Sequence, residues 1–277
     1  MIERKSLNAL TENIGDMALK RRVLRIITEL GLNASDRVLD CGCGDGLYLK
    51  TIGELGKCNI TGFDLNAGSL KLAKGFIDGM GIALVQGSIG VLPFKDNSFD
   101  KVFSTEVIEH VYDDFGALRE IFRVLKPSGM LIVTVPNHNY PLLWDPINWF
   151  LERFTGRHVK SGFWAGIWNM HLRLYYPEEI KSLIGKSGFD VISIEYLTHY
   201  CIPFNHIILY GLKKLLLSGI LPENMSNTAD KFSVKKNKQS RVIKLGYNIL
   251  GLLDRFNDSV SGNRPSVAIL IKAHKRI

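Results

Sequence analysis

Val38-Leu39-Asp40-Cys41-Gly42-Cys43-Gly44-Asp45-Gly46 decides the fold: a short apolar run ends in an acid and gives way to glycines at every second position. The run predicts a buried strand that carries Asp40 to the rim of a parallel sheet. The glycines leave no Cβ atoms to hold the backbone away from a ligand. Carboxylates at Asp40 and Asp45 disfavour a pyrophosphate, which wants bare N–H groups at a helix N-terminus. The spacing G-x-G-x-G also departs from the dinucleotide fingerprint G-x-G-x-x-G. An anionic rim suits S-adenosylmethionine, a cation without phosphate; a structural turn and a nucleotide loop are the competing readings.

Asn59-Ile60-Thr61-Gly62-Phe63-Asp64 predicts a second strand ending in an acid 18 residues after Gly46, where a carboxylate can accept both ribose hydroxyl protons. Further strands are expected at Ala83 to Ser88, Phe99 to Thr105, Met130 to Val135, Phe189 to Tyr196 and Ser266 to Lys272. Helices are expected over about Leu19 to Leu30, Asp114 to Leu125 (stopped by Pro127 and Gly129) and Pro177 to Ser187. The N-terminal helix is expected to cover the site or the sheet edge. Alternating strands and helices imply a doubly wound sheet whose ligand lies beyond the strands' carboxyl ends, where Asp40, Asp64, Ser88 and Glu106 converge.

In order, VLDCGCGDG, GFDLN, QGSIGVLPFKDNSFDKV, EVIEHV and RVLKPSGMLIVTVPN resemble the class I S-adenosylmethionine-dependent methyltransferases over residues 36 to 137. The resemblance implies an α/β fold with a mostly parallel, seven-stranded Rossmann-like sheet and an antiparallel last strand. It implies that Asp40, Gly42, Cys43 and Gly44 hold the amino acid part of the cofactor and that Asp64, with Leu65, binds the ribose. Gly87 and Ser88 would approach the adenine and Glu106 would close the site. Ser88 stands where the family often has an acid, so adenine N6 falls to the neighbouring backbone.

Glu106-Val107-Ile108-Glu109-His110 follows the fourth strand, where a helical turn can gather two carboxylates and an imidazole. Two readings stand: Glu109 and His110 brace the loop, with His110 lining the pocket, or they bind a divalent metal completed by His171. ExxEH followed by a distant His before Tyr175-Tyr176-Pro177 resembles the ubiquinone-pathway O-methyltransferases and the small-RNA terminal 2′-O-methyltransferases. That resemblance implies a metal (Mg, Mn or Zn) on Glu106, Glu109, His110 and His171. Without a metal, His110, His171 or His199 is the expected acceptor of the substrate proton.

The 277 residues, 46% of them hydrophobic, suffice for one domain with insertions. The expected core is 19–136, 177–197 and 266–272. A cap insertion spans 137–176 and a basic helical insertion 200–265. Trp144, Trp149, Trp164 and Trp168, all the tryptophans, fall in the cap segment and predict a hydrophobic cover over the acceptor site. The net charge of +8 is uneven: residues 1–200 hold 22 Lys or Arg and 23 Asp or Glu, and residues 201–277 hold 13 and 4. Residues 203–256 alternate apolar and basic stretches, which predicts helices that pack as a lid or lie on an anionic membrane face. Four cysteines without framework spacing, and no apolar run after Met1-Ile2-Glu3-Arg4, lead us to expect a cytoplasmic setting with peripheral contact at the inner membrane face. The expected activity is O-methylation of a small apolar or lipid-linked acceptor. The alternatives are RNA methylation, for which no RNA-binding module is evident, and an inactive cofactor-binding partner subunit.

Overall fold

The computed structural model describes residues 4–12, 14–56, 58–162, 164–201, 251–252, 254–260 and 262–276. Seven strands, β1 (Arg37–Cys41), β2 (Asn59–Asp64), β3 (Ala83–Gln86), β4 (Phe99–Thr105), β5 (Leu125–Pro136), β6 (Phe189–Leu197) and β7 (Ala268–Lys275), form one sheet in the order 3-2-1-4-5-7-6. Strands β1 to β5 pair in parallel, and β7 runs antiparallel between β5 and β6. The order reverses between β1 and β4. A crevice therefore opens beyond their carboxyl ends, and both the glycine turn and the ExxEH segment emerge there.

Period-two alternation assigns the two faces. Val38, Ile60, Phe103, Ile132 and Leu270 point to one side, against α2 (Met17–Leu30) and α3 (Leu47–Leu55). Leu39, Phe63, Val102, Leu131, Val133, Ile269 and Ile271 point to the other, against α5 (Asp114–Val124) and α7 (Pro177–Lys186). Two shorter helices, α1 (Arg4–Leu10) and α4 (Ala67–Phe76), complete the first layer, and α6 (Pro146–Thr155) belongs to the cap. Caps set the helix ends. Asp16 accepts from the Ala18 and Leu19 amides to start α2, and Gly31 in the left-handed region closes it.

Four boundaries differ from the sequence expectation. The N-terminal helix begins at Met17, and α1 precedes it. β3 ends at Gln86, two residues short. β5 starts at Leu125 in place of Met130, because the chain leaves α5 straight into pairing with Phe99 and absorbs Pro127 and Gly129 at a register shift. β7 runs to Lys275 in place of Lys272, because its charges find partners: Lys272 reaches Glu29, and the Lys275 ammonium bonds the Leu125 carbonyl and Asn97.

In the cap, Tyr140, Ile167, Trp168 and Leu174 form a separate small core with Trp144 and Trp149 packed on it. Trp164 stays half exposed. The expected basic insertion falls almost wholly outside the described residues.

Candidate functional site

The glycine turn is shaped by what surrounds it. The Gly42 and Cys43 amides both donate to the Phe63 carbonyl (2.7 and 2.9 Å), folding the turn back over β2. Gly42 has φ +95°, and a Cβ there would stand 2.2 Å from a Val107 methyl. Gly46 has φ +85° and would meet Ala73 at 2.9 Å. Only glycine meets both demands at these positions. The contact at Gly42 also joins the turn to the loop after β4.

Asp64 locks this turn from the side. One carboxylate oxygen accepts the Gly44 amide at 2.7 Å, and the other accepts the Asn66 amide at 2.8 Å. The Asp64 carbonyl takes the Gly87 amide at 3.1 Å, so the ends of β2 and β3 are tied together. Leu65 and Ser88 are exposed beside them, and the Ser88 hydroxyl accepts the Gly90 amide.

Asp40 is fully buried, and neither of its carboxylate oxygens has a hydrogen-bond partner. Burial, followed by repulsion from Asp64, holds its carboxyl well above the ordinary aspartate range. An orphaned acid of this kind has a use only if something comes to it. A raised folded-state pKa means that stability falls as pH climbs from the unfolded value, near 4, to the folded one. In the cofactor-free protein, Asp40→Asn is therefore expected to melt higher than wild type. The difference should grow with pH from about 4 and then level off. Calorimetric scans across that range check it; a difference that stays flat or shrinks contradicts the assignment.

Past β4 the backbone is strained at Glu106, whose φ is +53°. Its carboxylate is 2.9 Å from the Arg22 guanidinium and accepts the Thr134 hydroxyl at 3.1 Å. Arg22 comes from α2 and is largely buried. Burial opposes its charge, but the carboxylates of Glu106 and Asp16 and the Tyr48 ring outweigh that and raise its pKa. Nothing local in the sequence distinguishes Arg22 from Arg21 and Arg25, and Thr134 reads only as part of an apolar strand.

Glu109, His110 and His171 gather in one place. Glu109 is fully buried with both oxygens unpartnered, and His110 Nε2 and His171 Nε2 each lie 3.8 Å from its Oε1. The two imidazole centroids are 4.7 Å apart. Each Nδ1 faces a backbone carbonyl, Met170 O at 3.0 Å for His110 and Ile167 O for His171. The proton then sits on Nδ1 and leaves an Nε2 lone pair directed at Glu109, an arrangement that suits a metal ligand. Burial first, together with the His110 ring and the Arg22 charge, lowers the His171 pKa, which keeps its ring neutral at pH 7. Burial first, then Glu106, pushes the Glu109 carboxyl well up.

These ligand atoms all lie within 4.8 Å of one another, and Glu106 is not among them. His199 is elsewhere too: its amide donates to Asn257, and its Nδ1 lies 2.9 Å from the Pro265 carbonyl. The cap is laced to the ExxEH loop here, since the Leu172 amide donates to the Glu109 carbonyl at 3.1 Å. Met170, with φ +66°, makes the turn that brings His171 in.

A family model described as a methyltransferase domain matches residues 39–133. Demethylmenaquinone methyltransferase of Staphylococcus aureus is 35% identical over 189 residues, covering 63% of this chain and 76% of that one. Sterol 24-C-methyltransferase of Pneumocystis carinii is 33% identical over 185 residues, 65% of this chain but only 47% of its own length. The chain thus spans about half of that relative. Among solved structures, phosphoethanolamine N-methyltransferase 2 of Haemonchus contortus with S-adenosyl-L-methionine superposes with a TM-score of 0.57 at 19% identity, over 92% of this chain and 52% of that one.

Proposed function

Because this chain belongs to the class I S-adenosylmethionine-dependent methyltransferase family, we propose that it methylates an oxygen of a small lipid-like acceptor. Asp40, the turn at Gly42, Cys43 and Gly44, and Asp64 fit the cofactor. The turn leaves its Cα positions open, and Asp40 offers a buried, partnerless acid. Asp40 and the turn would hold the amino acid part, Asp64 and Leu65 the ribose, and Gly87 and Ser88 the adenine edge. The cofactor supplies an activated methyl carbon whose thioether leaving group needs no acid.

The protein's work is then positional. It must hold an acceptor oxygen in line behind the methyl and keep water out, which can supply much of the rate. The Glu109, His110 and His171 cluster is the observation that carries the oxygen reading. Two imidazole Nε2 atoms with fixed tautomers and one orphaned carboxylate can take a hydroxyl proton. The same donor set fits a divalent cation such as zinc or manganese better than magnesium, which prefers all-oxygen ligands. A cation there would lower the hydroxyl's pKa and fix its direction. Relatives acting by name on demethylmenaquinone and on sterols support a lipid-like acceptor.

The test is transfer of tritiated methyl from S-adenosylmethionine into organic extracts, with the product examined by carbon NMR. Label in the lipid phase as a methoxy group is expected. A C-methyl product overturns the oxygen assignment, and label confined to the aqueous or RNA fraction overturns the acceptor class.

A further inference from the structure

On α6 the exposed positions Phe150, Arg153, Phe154 and Arg157 follow the i, i+3, i+4, i+7 pattern and form one outward stripe. Phe154 is 78% and Phe150 49% exposed, and their rings stack on each other at 6.0 Å. The Arg153 guanidinium lies 3.9 Å from the centre of the Trp149 ring, and Lys160 is exposed just beyond the helix. The inward side of the helix is spoken for: Asn148 is buried and bonded to Asp145 and to the Trp164 and Ala165 carbonyls. Between residues 142 and 164 the only acids are Asp145 and Glu152. Asp145 is buried, and Glu152 accepts from the Tyr140 hydroxyl at 2.7 Å and faces His158 at 3.4 Å. The outward face is therefore aromatic and cationic with no acid of its own.

We infer that this face of α6 is a docking surface for an anionic lipid bilayer, with the phenylalanines entering the headgroup boundary and the basic residues meeting lipid phosphates. Charge decides the occupant. A second copy of this face would bring Arg153, Arg157 and Lys160 against their own likeness, whereas an anionic surface attracts them. Among the described residues no helix is long and apolar enough to cross a membrane, so contact here lies in the surface plane. The cap that carries this stripe also carries His171. Docking would set the candidate site beside the lipid phase, which deepens the lipid-like acceptor reading and rests on it for that purpose.

All four tryptophans lie between residues 144 and 168, so their fluorescence reports on the cap and on nothing in the basic segment 203–256. With the full chain, vesicles containing phosphatidylglycerol brominated in the acyl chain are expected to quench this fluorescence, and phosphatidylcholine vesicles are not. Phe150→Ser with Phe154→Ser, or Arg157→Glu with Lys160→Glu, should lower vesicle partition at least tenfold, since each basic residue alone contributes about fivefold. Melting temperature and cofactor affinity should stay at wild-type values. Sedimentation with vesicles without quenching, equal binding to neutral vesicles, or a dimer in solution that the Phe150 and Phe154 substitutions dissolve would each overturn the proposal. None of these readouts uses turnover. Failure of methyl transfer to a detergent-dispersed acceptor would instead count against the proposed activity.

Discussion

Asp64→Ala is expected to weaken S-adenosylmethionine binding about a hundredfold in isothermal titration, because two charge-assisted hydrogen bonds at about 1.5 kcal/mol each are lost together. The residue has two tasks. It would accept the ribose hydroxyls, and it already holds the Gly44 amide at 2.7 Å, so its removal both deletes a ligand contact and frees the turn. Asp64→Asn keeps the shape and separates the two effects; an intermediate loss is expected, since an amide oxygen can still accept one bond. Removing the Asp64 charge should also ease Asp40, whose carboxyl it holds up. Unchanged affinity in Asp64→Ala would reject the ribose role.

The second large effect concerns the cluster after β4. Glu109→Gln and His171→Ala are each expected to lower methyl transfer by two to four orders of magnitude, the range for a lost proton acceptor or ligand. If a cation is held there, both variants should lose the roughly one equivalent of zinc or manganese that dialysed wild type retains. Glu106→Gln should keep that metal, because Glu106 is engaged by Arg22 and Thr134 and stands outside the group of three. Elemental analysis after dialysis distinguishes these cases. Wild type without metal and fully active in chelator would leave proton transfer as the cluster's chemistry. Metal lost from Glu106→Gln with retention in His171→Ala would reverse the assignment of the ligands.

The sheet was legible because its signals are local and strong. Apolar runs such as Val38-Leu39 and Leu131-Ile132-Val133 can only be buried on both faces, and the glycine turn has one reading once its acids are weighed. The ends of β5 and β7 were not legible. Pro127 and Gly129 look like turn residues until a register shift absorbs them, and Lys272 and Lys275 look like solvent until Glu29 and the Leu125 carbonyl receive them.

The site divides along the same line. The convergence of Asp64 on the glycine turn and of His171 on Glu109 was readable from motif order. The partner of Glu106 was not, because Arg22 sits 84 residues away on a helix expected only to cover the site or the sheet edge. It does both, since Arg22 pairs with Glu106 while Arg25 pairs with Glu195 on the edge strand β6. His199 illustrates the opposite error. A histidine after a strand invites a chemical role, yet its contacts tie it to Asn257 and Pro265.

The stitching of Met170 and Leu172 onto the Glu109 and His110 loop makes entry and reactivity one event. Any route that admits a bulky guest by raising the cover parts one imidazole from the other and strips both of the carbonyls that choose their tautomer. A competent arrangement then exists only with the door shut, and a guest that merely rests at the threshold meets no base to take its proton.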